Sequence, residues 1–252
     1  MTSIVIPVHN ARDYIAETIE SVRAQTDHEW ELILVDDAST DDSAALIRKI
    51  IAGSKEMISL IPLSAEEGGS AARARNAGIE AALGRYIAFL DADDLWMPEK
   101  LSRTLAFMKE REAAFAFTSY AFGDEAARPT GKEVRVPETL TFEEALSRTV
   151  IFTSTVIFDT KRIAKKWIRM PEIESEDTAT WWRILRRGVT AQGLDEVLTV
   201  YRRSGKSLSS NKLKAVKRIW RLYRDPGVAG LSLPSSVKQF FGWAFRATAR
   251  RI

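Results

Sequence analysis

Tyr86-Ile-Ala-Phe-Leu-Asp-Ala-Asp-Asp94 is an apolar run that ends abruptly in three carboxylates within four residues. Residues 87–90 read as a buried strand of the kind found in parallel α/β sheets, whose ligands gather where the strands end. Asp91 and Asp93 share a parity, so they point the same way if strand geometry persists one residue further. Two carboxylates that close repel each other unless a cation lies between them. Oxygen-only ligands suit Mg2+ or Mn2+, which keep coordination sites for substrate phosphates. The competing reading is an acidic turn capping the next helix, with Asp94 shortly ahead of Pro98.

Upstream of this stretch, strand and helix periods alternate. Residues 3–8 read as a strand, and residues 12–24 carry Tyr14, Ile15, Ile19 and Val22 at helical spacing. Residues 29–35 form a second strand, and 36–42 a loop rich in helix N-cap residues. A helix to about Ile51, a strand over 57–61 and a helix over 70–82, opened by Gly68-Gly69 and ended by Gly84, complete the pattern. Such alternation predicts βαβ units in an α/β fold with a mostly parallel, doubly wound sheet.

Downstream, a helix is expected from Pro98 to about Arg111 and a strand over 115–120. An exposed loop or short hairpin follows over 123–139, then a strand over 152–158 and a helix from about Asp177 to Gly188. Two short strands, 190–194 and 197–202, finish the sheet. With no internal repeat and no low-complexity linker, the division is one compact domain, 1–210, and a helical tail, 211–252.

The 252 residues are 45% apolar and 9% aromatic, enough for a real core. No cysteine is present, which removes disulfides and thiolate metal sites and fits a reducing cytoplasm. The N-terminus has no basic region followed by an apolar stretch, so no signal peptide is expected. No apolar run of about 18 residues suggests a membrane-spanning helix. The net charge of +3 hides an asymmetry: residues 1–160 hold 16 Lys and Arg against 27 Asp and Glu, while 161–252 hold 21 against 7. A basic half suggests a polyanionic partner, nucleic acid or an anionic membrane surface, unless it is only a basic helical tail.

That tail holds two amphipathic stretches. Leu213, Val216, Ile219, Trp220 and Tyr223 share one face, surrounded by Lys214, Lys217, Arg218, Arg221 and Arg224. Val237, Phe240, Phe241, Ala244 and Phe245 form another, beside Lys238, Arg246, Arg250 and Arg251. Basic rims around aromatic anchors suit helices lying in a membrane interface. Packing on the core is the alternative; it is favoured for the first stretch and the membrane for the second.

Four motifs then stand in order: Ser3-Ile-Val-Ile-Pro-Val-His-Asn10, Val35-Asp-Asp-Ala-Ser-Thr-Asp-Asp-Ser43, Ala74-Arg-Asn-Ala-Gly78 and Phe89-Leu-Asp-Ala-Asp-Asp94. Together they resemble the family 2 glycosyltransferases of GT-A fold. Glu176-Asp-Thr-Ala-Thr-Trp-Trp-Arg-Ile-Leu185 is similar to the family's acidic motif, and Val200-Tyr-Arg-Arg-Ser-Gly-Lys-Ser-Leu-Ser209 to the Tyr-Arg plus Ser stretch that closes the domain in many bacterial cell-surface polysaccharide enzymes. From the acidic motif through Arg224 the chain is especially similar to transferases of capsular and teichuronic acid assembly.

The resemblance implies a nucleotide-binding half, 1–97, and an acceptor half, 98–210. It implies inverting transfer from a nucleotide-sugar, UDP-linked, to a saccharide acceptor that is lipid-linked. Asp93 with Asp91 would hold Mn2+ or Mg2+ and neutralise the leaving diphosphate. Asp37 would accept the N3–H of uracil, with Asp36 facing the other way. Pro7, His9, Asn10, Arg75, Asp91 and Ala92 would line the nucleotide, His9 stacking near the base where many relatives carry Tyr. Asp177 would be the catalytic base, with Glu176 as second candidate. Trp181 and Trp182 either stack on a sugar or belong to the core, and Arg202 is placed with the acceptor. The implied location is cytoplasmic, peripheral at the inner membrane face, with the basic tail on anionic lipid and no nucleic-acid partner.

The Gln-x-x-Arg-Trp motif of processive members is missing, so a single transfer is expected. A nucleotidyltransferase or a dinucleotide dehydrogenase needs a Gly-rich loop after the first strand, and residues 7–12 contain no glycine. A non-catalytic scaffold binding a nucleotide or a membrane would have no use for both Asp93 and Asp177.

Overall fold

Three apolar runs find each other in parallel. β1 (Thr2–Val8) lies between β2 (Trp30–Asp37) and β4 (Tyr86–Phe89), and β3 (Ile58–Leu63) extends β2 on its far side. The computed structural model describes residues 1–66, 68–148, 150–203 and 212–249. Helices α1 (Ile15–Arg23), α2 (Ser43–Ile51) and α3 (Ala71–Ala81) make the crossovers, as alternation predicts.

The second half joins the sheet differently. β9 (Ile157–Asp159) runs antiparallel on β4, and β6 (Phe115–Gly123) runs antiparallel on β9. β10 (Ala191–Arg202) is parallel to β6 and carries β5 (Leu95–Trp96) and β8 (Thr139–Leu140) as antiparallel partners. β7 (Pro129–Val134) forms the expected hairpin with β6. Among the described residues this makes ten strands, parallel in the first half and mixed in the second.

Two local expectations change. The strand expected over 152–158 is a 3-10 turn, Thr153–Thr155, followed by only three strand residues of β9. The two short strands after 190 are one strand, β10, with register shifts between Leu194 and Val197 and between Val197 and Thr199. Side chains alternate to the two faces. Val5, Val35, Phe89, Phe115, Phe158 and Trp181 pack on one side. Ile4, Ile6, Leu32, Leu34, Ile19 and Leu101 pack on the other. Gly78 lets α3 close on β1, since a Cβ there would stand 2.3 Å from Val5 Cγ1.

Helices α4 (Lys100–Glu110), α5 (Phe142–Ser147), α6 (Lys165–Ile168) and α7 (Glu176–Leu185) flank the second half. The tail forms α8 (Lys212–Arg224) and α9 (Leu233–Ala249). Ile219, Leu222 and Tyr223 are buried, and the Tyr223 ring stacks on Trp182 at 5.3 Å while its hydroxyl donates to the Leu146 carbonyl. The first amphipathic stretch therefore packs on the core. In α9, Phe240 and Trp243 turn inward while Leu233, Val237 and Phe241 are exposed. The 210/211 boundary, residues 204–209, the side chains of Leu213, Lys214, Phe245 and Arg246, and Arg250 and Arg251 lie outside what the structure describes.

Lys100 is fully buried in α4, where its ammonium donates to the Thr155 carbonyl at 2.8 Å. Burial pushes its pKa down to about 7. Between that value and the ordinary lysine range the unfolded chain binds the extra proton, so this lysine's cost is full below pH 7 and disappears as pH rises. Lys100→Met should accordingly be more stable than the parent at pH 6, and its advantage should shrink towards pH 9. Thermal melts of both proteins across that range check this, at about 2–4 °C per kcal/mol for a domain this size.

Candidate active site

The C-terminal ends of β1, β2 and β4 open on a cavity of about 580 Å3 lined by Pro7, His9, Asn10, Tyr14, Asp37, Gly69, Ser70, Arg75, Asp91, Ala92 and Asp93. All eight residues expected around the nucleotide and metal meet there. This is where ligands bind in open α/β sheets.

Two turns with left-handed backbone shape the rim, at Asn10 (φ 51°) and Ala38 (φ 52°). The Asn10 carboxamide oxygen accepts from the Thr40 N–H at 2.8 Å, and the Ala11 N–H donates to Ser43 Oγ at 2.9 Å, lacing the β1 and β2 loops together. His9 Nδ1 lies 2.8 Å from the Asp37 carbonyl. A carbonyl only accepts, so Nδ1 carries a proton, and Nε2 lies 3.4 Å from Asn10 Nδ2. His9 is thus a wall of the cavity.

Asp37 is buried, and its Oδ1 accepts from the Gly69 N–H at 2.7 Å. A Cβ on Gly68 would stand 2.5 Å from that oxygen. Arg73 holds this loop through the carbonyls of Glu66 and Gly68, each at 3.2 Å, and pairs with Glu172 at 2.8 Å. Asp36 accepts from the Ser39 N–H at 3.3 Å and does not line the cavity.

The acidic segment does not continue the strand, which ends at Phe89. Residues 91–94 form a turn closed by the Asp94 N–H on the Asp91 carbonyl at 3.1 Å, and this turn, rather than strand parity, brings Asp91 and Asp93 into one cavity. Asp94 is fully buried beneath it, accepting from Ser154 Oγ at 2.5 Å and the Arg202 N–H at 3.1 Å. Burial, then Asp91 and Asp93, hold its pKa well above the usual range. Burial and then Asp91 push Asp93 up to about 6. Among the described residues no group of three or more His, Cys, Asp or Glu side chains could hold a metal. Asp91 and Asp93 fit an ion that takes its other ligands from phosphate and water.

Arg75 is buried and bridges two carboxylates, Asp91 at 2.6 Å and Glu176 at 2.8 Å. Burial alone would lower the Arg75 pKa, but the two acids outweigh it and the net change is upward. Glu176 is nevertheless raised, because burial outweighs the guanidinium. The neighbouring Asp177 accepts from its helix at the Thr178 N–H, 2.5 Å, and from Thr153 Oγ1, 3.1 Å. Ser175, immediately before, is left-handed at φ 61°. Glu176 is paired with Arg75, while Asp177 accepts its hydrogen bonds from neutral donors.

Three placements are corrected. Trp181 is 2% exposed among Phe89, Phe115 and Phe158, and Trp182 is 2% exposed under Tyr223. Neither ring can meet a sugar. Arg202 is 3% exposed behind the acidic turn; it donates to the carbonyls of Asp93 and Glu125, each at 2.7 Å, and to Glu17 at 2.5 Å. It shapes the Asp93 peptide and faces no acceptor. Sequence reading missed Thr153, Ser154 and Asp94. The first two were hidden inside an apparent strand, and Asp94 looked like a cap.

Comparison with known proteins shows the family and the fold. The family model described as Glycosyl transferase family 2 matches residues 3–166, ending before α7. A Bacillus subtilis protein named as a teichuronic acid biosynthesis glycosyltransferase, TuaG, is 40% identical over 100% of this chain and 98% of its own length. The Escherichia coli UDP-Glc:alpha-D-GlcNAc-diphosphoundecaprenol beta-1,3-glucosyltransferase WfaP is 36% identical over 90% of this chain and 87% of its own. Among solved structures, Staphylococcus aureus TarS with UDP-GlcNAc superposes with a TM-score of 0.72 at 20% identity, covering 98% of this chain and 72% of that one. That likeness is one of fold.

The contact between Gly68 and Asp37 is open to test. A methyl group at Gly68 must displace the Asp37 carboxylate from the Gly69 N–H, so Gly68→Ala should cost about 1–3 kcal/mol, the range for losing a hydrogen bond to a buried charged group, and lower the melting temperature by about 2–4 °C per kcal/mol. Thermal melts of parent and variant measure it.

Proposed function

The chain belongs to glycosyl transferase family 2, and we propose that it transfers one sugar, with inversion, from a UDP-sugar to a lipid-linked saccharide in cell-surface polysaccharide assembly. The observation that carries this reading is the Arg75 bridge, which joins the carboxylates of the strand-end cavity to the first turn of α7, beside Asp177. A UDP-glucose donor and a diphosphoundecaprenol-linked acceptor are named for the relative WfaP, and teichuronic acid biosynthesis for TuaG.

In this reading Asp37 keeps one oxygen on Gly69 and offers the other to the uracil N3–H. The diphosphate lies against Asp91 and Asp93, which would hold Mn2+ or Mg2+. That ion, when bound, neutralises charge on the departing diphosphate. Asp177 takes the proton of the acceptor hydroxyl as its oxygen attacks the anomeric carbon and the bond to UDP breaks. Direct displacement inverts the anomeric centre.

A second surface supports the acceptor side. No helix among the described residues is long and apolar enough to cross a membrane. The exposed Leu233, Val237 and Phe241 recur every four residues along α9, beside Lys238, in a half of the chain rich in positive charge. This stripe would lie on anionic lipid at the cytoplasmic membrane face.

Titration of UDP, GDP, CMP and ADP, with and without Mn2+, tests the donor site. UDP should bind with the metal present and fail to bind in Asp93→Asn; silence from all four nucleotides would sink the catalytic reading. Asp177→Asn should lose about 100- to 10,000-fold in kcat, the range of a general base, with UDP affinity intact. Lost donor binding in that variant would remove Asp177 from the base role. Replacing Leu233, Val237 and Phe241 by Ser should weaken binding to anionic liposomes, and unchanged binding would assign the membrane contact elsewhere.

A further inference from the structure

One turn that the sequence disguises as strand touches both ends of the site. Thr153–Thr155 is a 3-10 turn between α5 and β9, and its three side chains are 3%, 0% and 0% exposed. Thr153 Oγ1 donates to Asp177 Oδ2 at 3.1 Å. Ser154 Oγ accepts from the Asp91 N–H at 3.0 Å and donates to Asp94 Oδ2 at 2.5 Å. The Ser154 carbonyl accepts from Trp96 Nε1 at 2.7 Å, and that of Thr155 from Lys100 Nζ at 2.8 Å. Of the groups that anchor the turn, Asp94, Trp96 and Lys100 are buried, and Asp91 and Asp177 are half-buried. Two adjacent residues thus grip the acidic turn and the α7 carboxylate from a single rigid piece of backbone.

We propose that this turn registers the proton-accepting carboxylate against the donor site, with Thr153 as the positioning residue for Asp177. The inference rests on the reading of Asp177 as base. A carboxylate presents about four lone-pair sites. The Thr178 N–H occupies one on Oδ1 and the Thr153 hydroxyl one on Oδ2, so rotation about the carboxylate bond is fixed from both sides. The free lone pairs are thereby held in one orientation for the acceptor hydroxyl. Ser154, one residue on, fixes the peptide of Asp91, so a shift of the turn moves base and donor site together. A threonine that served only to satisfy its own hydroxyl would affect stability and leave turnover alone.

Thr153→Val keeps the shape of the side chain and removes the donor, while Thr153→Ser keeps the donor. The parent, both variants, Asp177→Asn and the double variant Thr153→Val/Asp177→Asn are compared on the UDP-sugar that the parent turns over fastest. The assay acceptor is a lipid-linked GlcNAc diphosphate, the kind named for the relative WfaP. Thr153→Val should lower kcat about 10- to 100-fold, the loss expected of a misoriented reacting group, with donor KM and UDP affinity unchanged. Thr153→Ser should restore most of it, and Thr153→Val should cost nothing further in the Asp177→Asn background. Parent turnover in Thr153→Val, or a serine variant as slow as the valine one, would overturn the proposal, as would an equal loss in the Asp177→Asn background. If Asp177→Asn itself keeps parent turnover, the base assignment fails and the positioning role falls with it. If Asp177→Asn is inactive while Thr153→Val is normal, only the positioning role fails.

Discussion

A buried guanidinium between two carboxylates from opposite halves of the chain sets the site. Leaving either acid or the cation of such a group unpaired costs on the order of 3–5 kcal/mol, so Arg75, Asp91 and Glu176 fix one another's positions. Residues around Arg75 on α3 reinforce the grip. Asn76 exchanges two 2.8 Å hydrogen bonds with the backbone of Met170, and Arg73 pairs with Glu172. The small residues between serve a different purpose, letting α3 close on β1 at Gly78. The motif Ala74-Arg-Asn-Ala-Gly78 is therefore a seam: one side packs on the sheet, and the polar side holds the segment that launches α7.

The first half of the fold is legible in the sequence because its signals are local. Uninterrupted apolar runs and helical periods specify β1 to β4 and their crossovers without reference to anything distant. The second half depends on partners. Three residues of β9 become a strand only because β4 and β6 flank them, and Thr153-Ser-Thr155 reads as strand by composition although its hydroxyls are engaged with Asp177, Asp94 and the Phe152 carbonyl. The same limit explains the site. Asp37, Asp91 and Asp93 are recognisable by type and spacing, but nothing in the identity of Trp181, Trp182 or Arg202 tells an inward direction from an outward one. A tryptophan pair on a helix and an arginine after a strand have two readings each, and burial decides.

The basic half of the chain divides by the same criterion. Arg186 donates to the carbonyls of Pro226 and Val228, Arg224 to that of Leu231, and Arg221 pairs with Glu174. These cations tie α8 and the following loop to α7, so part of the positive charge is structural. The aromatic face of α8 is likewise taken up by Trp182 and the Leu146 carbonyl. Among the described residues, packing leaves the Leu233, Val237 and Phe241 stripe of α9 uncovered. An amphipathic pattern in sequence thus covers two different outcomes, one helix committed to the core and one with a face still turned out.

The electrostatics of the cavity constrain what can enter it. Asp91 is neutralised by Arg75, but the same guanidinium also serves Glu176, so none of its charge is left over for a ligand. Asp93 has burial and Asp91 against it, and Arg202, the opposing cation, meets only its carbonyl. An approaching diphosphate would add negative charge to a region that already disfavours its own. Positive charge has to arrive with the diphosphate, which is the condition a divalent ion shared between carboxylates and phosphate satisfies. Under the proposed function, a pocket whose cation is already engaged, and whose carboxylates are underneutralised, would take up a nucleotide and a metal as one unit rather than either alone.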